Sequence, residues 1–183
     1  MLSCRFFAKR FTRHNSLEDD VHLWLCRRGI QAEKEVIVGD GQQRMDIWVR
    51  SQGKVYWADV TVTEPGCPSL VARASHEAGV AVAEKEQQKL SKWAGLAREH
   101  HVPVTAIAFE TSGRRGKMAD TFLRHMARVS RSSSTAPSLD SLWLQLSVTM
   151  AKNNVLLLRE AVRAATGVGS ARSRVGYGRP LAA

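Results

Sequence analysis

The chain has 183 residues, 44% of them hydrophobic, and its 27 Lys and Arg against 17 Asp and Glu give a formal net charge of +10 and an isoelectric point near 10.2. That length predicts one core of ordinary size with a tail or small helical addition, and with no run of about eighteen apolar residues no transmembrane span is expected. Lys, Arg and Trp are interleaved through both halves of the chain, which ranks a nucleic acid ahead of a small metabolite as partner, although a ribosomal, membrane-attracted or merely basic chain would share that balance.

The elements follow in chain order. Met1 to His14 holds several basic residues, no acid and interspersed Phe, as a mitochondrial presequence does. Asn15 or Ser16 caps a predicted helix with Glu18, Asp19 and Asp20 in its first turn and Leu17, Val21, Trp24 and Leu25 as a core-facing stripe. Gln31–Val38 reads as a strand, followed by a Gly39-Asp40-Gly41-Gln42-Gln43 loop that lacks the Gly-Lys-Ser/Thr of a phosphate cradle. Asp46–Arg50 and Lys54–Val62 flank the turn signal Arg50-Ser51-Gln52-Gly53-Lys54 and predict a β-hairpin turning near Ser51-Gln52. After Pro65-Gly66-Cys67-Pro68, residues 68–98 read as mainly helical; residues 103–110 add a strand and Gly116 to Ser130 a helix. Beyond the Arg131–Pro137 linker, Leu139 to Met150 and Asn153 to Thr166 read as a hairpin of two amphipathic helices, with Trp143 and Leu156-Leu157-Leu158 packing on the core or on another copy. Residues 167–183 are Gly/Arg-rich and predicted to be a disordered tail. Helices and strands in this alternation predict an α/β fold with a mixed sheet. Cys4, Cys26 and Cys67 are odd in number and widely spaced, giving no disulfide framework and no zinc set, and fitting a reducing compartment.

The chemistry is expected at the hairpin. Asp46 lies near the start of its first strand and Asp59 near the end of its second, so antiparallel pairing sets the carboxylates together at one edge. Two converging carboxylates repel when ionised. A hard divalent cation, Mg²⁺ or Mn²⁺, relieves that repulsion and can activate water against a phosphodiester. The plainer alternative makes Asp46 a strand-end carboxylate and Asp59 a hydrogen-bonded strand residue. Lys85, Lys89 and Lys92 on neighbouring turns of the next helix could bring an ammonium to the acids, or could stand exposed and paired with Glu84 or Glu86.

These pieces resemble the restriction-like endonuclease domain at the C-terminal end of certain non-LTR retrotransposon reverse transcriptase polyproteins, a branch of the PD-(D/E)XK nucleases. Arg44-Met45-Asp46, twelve residues and Asp59-Val60-Thr61 resemble its basic-Pro-Asp and acid motif; Lys89-Leu90-Ser91-Lys92-Trp93 resembles its helix lysine motif, and Pro103 to Gly113 its Glu-Thr strand. The match runs from about Cys4 to Gly113. Met45 stands where the family has proline, and Thr61 stands where most nucleases of this fold place the catalytic lysine. The resemblance implies that Asp46 and Asp59 hold the metal, that Lys89, or second Lys85, replaces the strand lysine, and that Glu18 helps hold the metal, unless it simply favours the helix N-terminus. It implies nucleic-acid contacts for Arg13 and His14, unless these are simply exposed, and to them we add Arg44 and Lys92.

It also implies nicking of one DNA strand to prime reverse transcription in the nucleus, with the reverse transcriptase domain and the RNA of the intact element as partners; the 183 residues leave no room for a polymerase. Leu2-Ser3-Cys4 is similar to the close of the zinc knuckle that precedes the domain in relatives. On that reading residues 1–14 are a remnant of the upstream region, residues 15–130 the nuclease core, 139–166 a helical extension and 167–183 a tail. A catalytically inactive, basic nucleic-acid-binding remnant is the alternative.

Overall fold

The computed structural model describes residues 9–130 and 135–166, so Leu2-Ser3-Cys4 and the 167–183 tail lie outside the described residues. In order come α1 (Lys9–Arg27), β1 (Gln31–Val38), β2 (Gln43–Ser51), β3 (Lys54–Thr63), α2 (Val71–Ala74), α3 (Val80–Glu99), β4 (Val104–Glu110), α4 (Lys117–Val129) and α5 (Leu139–Thr166). The strands form one mixed sheet in the order β1-β2-β3-β4, antiparallel except for the parallel β3–β4 pair. α3 supplies the crossover between those parallel strands, a connection that an antiparallel turn could not make.

The hairpin turns on Gln52-Gly53, one step beyond the expected centre, because Ser51 pairs with Lys54 and both turn residues have positive φ, 50° and 75°. Two left-handed residues make the tight turn whose twist matches the strands, and glycine takes one of them without a steric cost.

Period-two alternation on β3 divides the interior. Tyr56, Ala58, Val60 and Val62 join the cluster built with α1, α4 and α5, whereas Val55 and Trp57 join Trp93 and Leu96 of α3. Leu17, Val21, Trp24 and Leu25 are buried on α1, as their spacing predicts.

Two boundaries differ from expectation. α1 starts at Lys9, not at Asn15 or Ser16, and so crosses the expected boundary between residues 14 and 15. Ser16 Oγ donates 2.7 Å back to Thr12 O instead of capping, a bond that lets serine sit inside a helix. The expected helical hairpin is a single helix of 28 residues. No Gly or Pro interrupts Ala151-Lys152-Asn153-Asn154, and the two asparagines that look like a break are used within the fold. Asn153 Nδ2 donates to Thr149 O at 2.9 Å, and Asn154 Nδ2 donates to Thr111 O at 2.7 Å. The reading of 68–98 as mainly helical resolves into α2 and α3, separated where Gly79 takes a left-handed φ of 89°. Leu157 is buried as expected, but Leu156 and Leu158 are exposed.

Arg28, which has no sequence signature, anchors the chain leading into α5. Its guanidinium donates to Ser130 Oγ (2.9 Å), Pro137 O (2.7 Å) and Ala127 O (2.8 Å) and lies 5.2 Å from the centre of the Trp24 ring. Trp24 Nε1 donates to Ser138 O nearby. A lysine ammonium cannot reproduce this planar fork. Arg28→Lys is therefore expected to lower unfolding free energy by about 2 kcal/mol and Arg28→Ala by about 3 kcal/mol, because partly buried acceptors lose charged donors; urea denaturation checks both, and an unchanged midpoint for Arg28→Lys would refute the fork.

Candidate active site

The register places the two aspartates. Ile47 pairs with Ala58, so the next step sets Asp46 against Asp59. Regular pairing stops there: Asp46 has no partner on β1 or β3, and Glu35, opposite it on β1, has a φ of 56°. Met45 and Ile47 are two residues apart yet lie in different clusters, so the pleat changes face at Asp46. With the ladder interrupted, Val60 N donates 2.7 Å to Asp46 Oδ2. Asp59 keeps the odd-numbered face of β3 and meets α3.

Asp59 is 2% exposed. Trp93 Nε1 donates 2.5 Å to its Oδ2, and Lys89 Nζ lies 2.6 Å from its Oδ1 as an ion pair without hydrogen-bond alignment. Lys89 and Trp93 are one helical turn apart, hence on one face of α3. Their joint approach was legible in that spacing, although the sequence reading used only the lysine. The acids expected to hold the lysines are engaged elsewhere: Glu84 pairs with Arg73, and Glu86 accepts the Met118 N–H at 2.8 Å. Lys85 donates to Gln88, and burial followed by the neighbouring Lys89 lowers its pKa. Lys92 lies exposed, its Nζ 4.1 Å from the centre of the Trp93 ring.

α1 closes the other side. His14 Nε2 is 3.5 Å from Asp46 Oδ2 and 3.9 Å from Glu18 Oε2. Burial, ahead of the opposing pull of Asp59, lowers the imidazole pKa, so His14 is neutral at pH 7 and these are polar contacts. Glu18 is 1% exposed, and neither of its oxygens accepts a hydrogen bond; the nearest cation, Lys34 Nζ, stands 3.7 Å from Oε1 and 2.5 Å from Asp19 Oδ1. Burial consequently pushes Glu18 up to about 7 against the pull of Lys34. Asp46 is likewise pushed up to about 7, first by burial and then by the charge of Asp59, with Glu18 adding to it.

Arg13, His14, Asp46, Thr61 and Lys89 line a cleft of about 360 Å³ together with Arg10, which the sequence reading missed. Arg13 is buried at the wall of the cleft and its Nη1 donates 2.8 Å to Asn154 Oδ1, linking α1 to α5. Arg44 is exposed and paired with Glu35 at 2.9 Å. Thr61 is buried on β3, leaving Lys89 as the cation against the acids.

Among the described residues, no three or more His, Cys, Asp or Glu side chains form a group that could hold a metal ion. Asp46 and Asp59 supply two hard carboxylates, the number that Mg²⁺ commonly takes from protein while keeping water and substrate oxygens. Buried carboxyl oxygens without hydrogen bonds on Asp59 and Glu18, and the raised Asp46 pKa, are the chemistry that a divalent cation would relieve. Cys26 and Cys67 are free, and no helix among the described residues is long and apolar enough to cross a membrane.

No protein-family model matches the chain, and no curated protein matches it. What is established is a mixed α/β protein with a four-stranded sheet flanked by helices.

A carboxyl that holds its proton more tightly folded than unfolded lowers stability as pH rises between the two pKa values. For Asp46 that window runs from its ordinary value of 3.8 to about 7. Asp46→Asn keeps an acceptor for Val60 N–H and removes this loss. Its Tm relative to the unsubstituted chain, in metal-free buffer, is expected to climb steadily from pH 4 to pH 7 and then level. A difference that does not change with pH would show that Asp46 titrates normally.

Proposed function

We propose that this chain is a metal-dependent DNA endonuclease domain of the PD-(D/E)XK type, related to those of non-LTR retrotransposons. The observation that carries the reading is that Asp46 and Lys89 line one open cleft and Lys89 reaches the buried Asp59 just behind it, with the ammonium coming from α3 while Thr61 occupies the strand position. It supports the helix-lysine arrangement that the resemblance implies. A mixed sheet between helices is consistent with that fold type.

In this reading Asp46 and Asp59 would hold Mg²⁺ or Mn²⁺, with Glu18 completing the acidic wall. The ion, when bound, supplies Lewis acidity toward a phosphodiester oxygen and a lowered pKa for bound water. The chain's own groups do the rest. Lys89 carries positive charge where the phosphoryl oxygens gain negative charge. His14, neutral and beside Asp46, accepts or donates one hydrogen bond in the cleft, and Arg10 at its rim attracts the phosphate backbone. Trp93 fixes Asp59 so that the carboxylate does not collapse wholly onto Lys89. The product is a nicked strand whose 3′ hydroxyl primes reverse transcription by the polymerase of the intact element, with that element's RNA as template.

The missing third ligand among the described residues favours a second reading, a basic nucleic-acid-binding remnant without cleavage. Nicking of supercoiled plasmid by the purified chain with Mg²⁺ or Mn²⁺ separates the two. Cleavage is expected to stop with EDTA and in Asp46→Ala/Asp59→Ala, and to fall at least about 100-fold in Lys89→Ala, with a smaller fall in Lys85→Ala. DNA retention should weaken steeply with salt in every variant. Retention without metal-dependent nicking would overturn the enzyme reading and leave the remnant.

A further inference from the structure

We propose that the outward face of α5 is a homodimer seam that joins two copies of this chain side by side in parallel. Six of the ten large exposed hydrophobic residues among the described residues lie on this one helix. Leu144, Val148, Ala151, Val155, Leu158 and Val162 recur in alternating steps of four and three, and all six are exposed. Leu144 is 68% and Val155 53% exposed. That is the spacing of a coiled-coil stripe, narrower and more regular than the face with which a helix packs on a globular core. The core-facing stripe is a separate set, including Leu142, Leu146, Met150 and Leu157. The outer stripe therefore does no work within the described chain.

The occupant follows from residue type and charge. With Leu144 assigned to position d, the a positions are Val148, Val155 and Val162, and the d positions are Leu144, Ala151 and Leu158. β-branched residues at a with leucine at d favour two parallel strands. The flanking e positions are Gln145, Lys152 and Arg159, and the g positions are Ser147, Asn154 and Ala161. A parallel pair sets Lys152 near Ser147 and Arg159 near Asn154 of the other copy, with no like charges opposed. An antiparallel pair would set the basic edges against each other. The stripe spans about 27 Å at the helical rise, a short coiled coil. A free peptide of that length would have to order on pairing, whereas here the helix is already held on the domain, so little ordering entropy opposes association.

Sedimentation equilibrium of the full chain, freed of nucleic acid and run at high salt, tests the seam. A reversible monomer–dimer equilibrium is expected. Leu158→Asp should raise its dissociation constant at least about 100-fold, and Ala151→Leu should lower it about tenfold. Both positions are exposed in the monomer, so circular dichroism should stay unchanged. Val155→Cys should cross-link to its own copy on oxidation beyond the level of the parent, because equivalent a positions meet only in the parallel pair; an antiparallel pair would set Val155 against Ala151. A monomer throughout, a dimer indifferent to Leu158→Asp, or no gain in cross-linking with Val155→Cys would each overturn the proposal, the first leaving an acidic helix of another protein as the fitting partner for the basic edge.

Discussion

The site is organised by the repulsion between two carboxylates that the hairpin register cannot keep apart. Ser51 pairs with Lys54 and Ile47 with Ala58, so Asp46 must meet Asp59 one step later. In a partly desolvated cleft such a pair costs on the order of a few kcal/mol when both are ionised. The surroundings answer at each oxygen: the Val60 amide on Asp46, and the Trp93 indole and Lys89 ammonium on Asp59. The answer is incomplete, because Asp46 stays pushed up to about 7 and the buried Glu18 nearby is no better placed. Protein stability would be served by apolar residues at these positions, so the arrangement is one that costs folding free energy and concentrates it at a single cleft.

Much of this was legible because it depends on short-range rules. Alternation on β3 assigns Asp59 to the α3 face, the turn signal marks the hairpin although its centre lies one step later than expected, and the Leu17, Val21, Trp24 and Leu25 spacing fixes the buried side of α1. The resemblance already put Lys89 first and Lys85 second; the geometry adds that Lys89 Nζ reaches Asp59 while Lys92 Nζ lies against the Trp93 ring instead. The irregular pairing at Glu35 and Asp46 left no trace in the sequence, because neither residue is a glycine or proline. Arg28 and Arg13 were illegible for a different reason. A buried arginine is decided by which carbonyls and amides lie within reach across the fold, and Ser130, Pro137 and Asn154 are all more than 100 residues away in the chain.

The asparagines of α5 mark the limit of propensity as evidence. Asn153-Asn154 looks like a break because short polar side chains compete for the backbone in isolation. Here one bonds to its own helix, and the other ties the helix to Thr111 and Arg13, while Thr149 Oγ1 donates 2.5 Å to Asp20 of α1. Polar residues thus set the rotation of α5 about its axis. Apolar side chains alone would not, because the helix is apolar on two faces and either could have been buried.

The position of Lys89 on a helix, not on β3, changes what holds the cation in place. A lysine on the strand is placed by sheet register, which slips only in whole residues and reverses every side chain when it does. A lysine on α3 is placed by packing, which can shift by fractions of an ångström. Trp93 removes that freedom. Its ring is 1% exposed among Val38, Met45 and Trp57, and its Nε1 is bonded to the same carboxylate that Lys89 approaches. Burial of one large side chain therefore sets the distance between charge and countercharge one turn away. A ring that kept the volume but lost the N–H would leave the helix docked and free Asp59 to turn toward the ammonium. Hydrophobic packing and site geometry are in this sense the same contact.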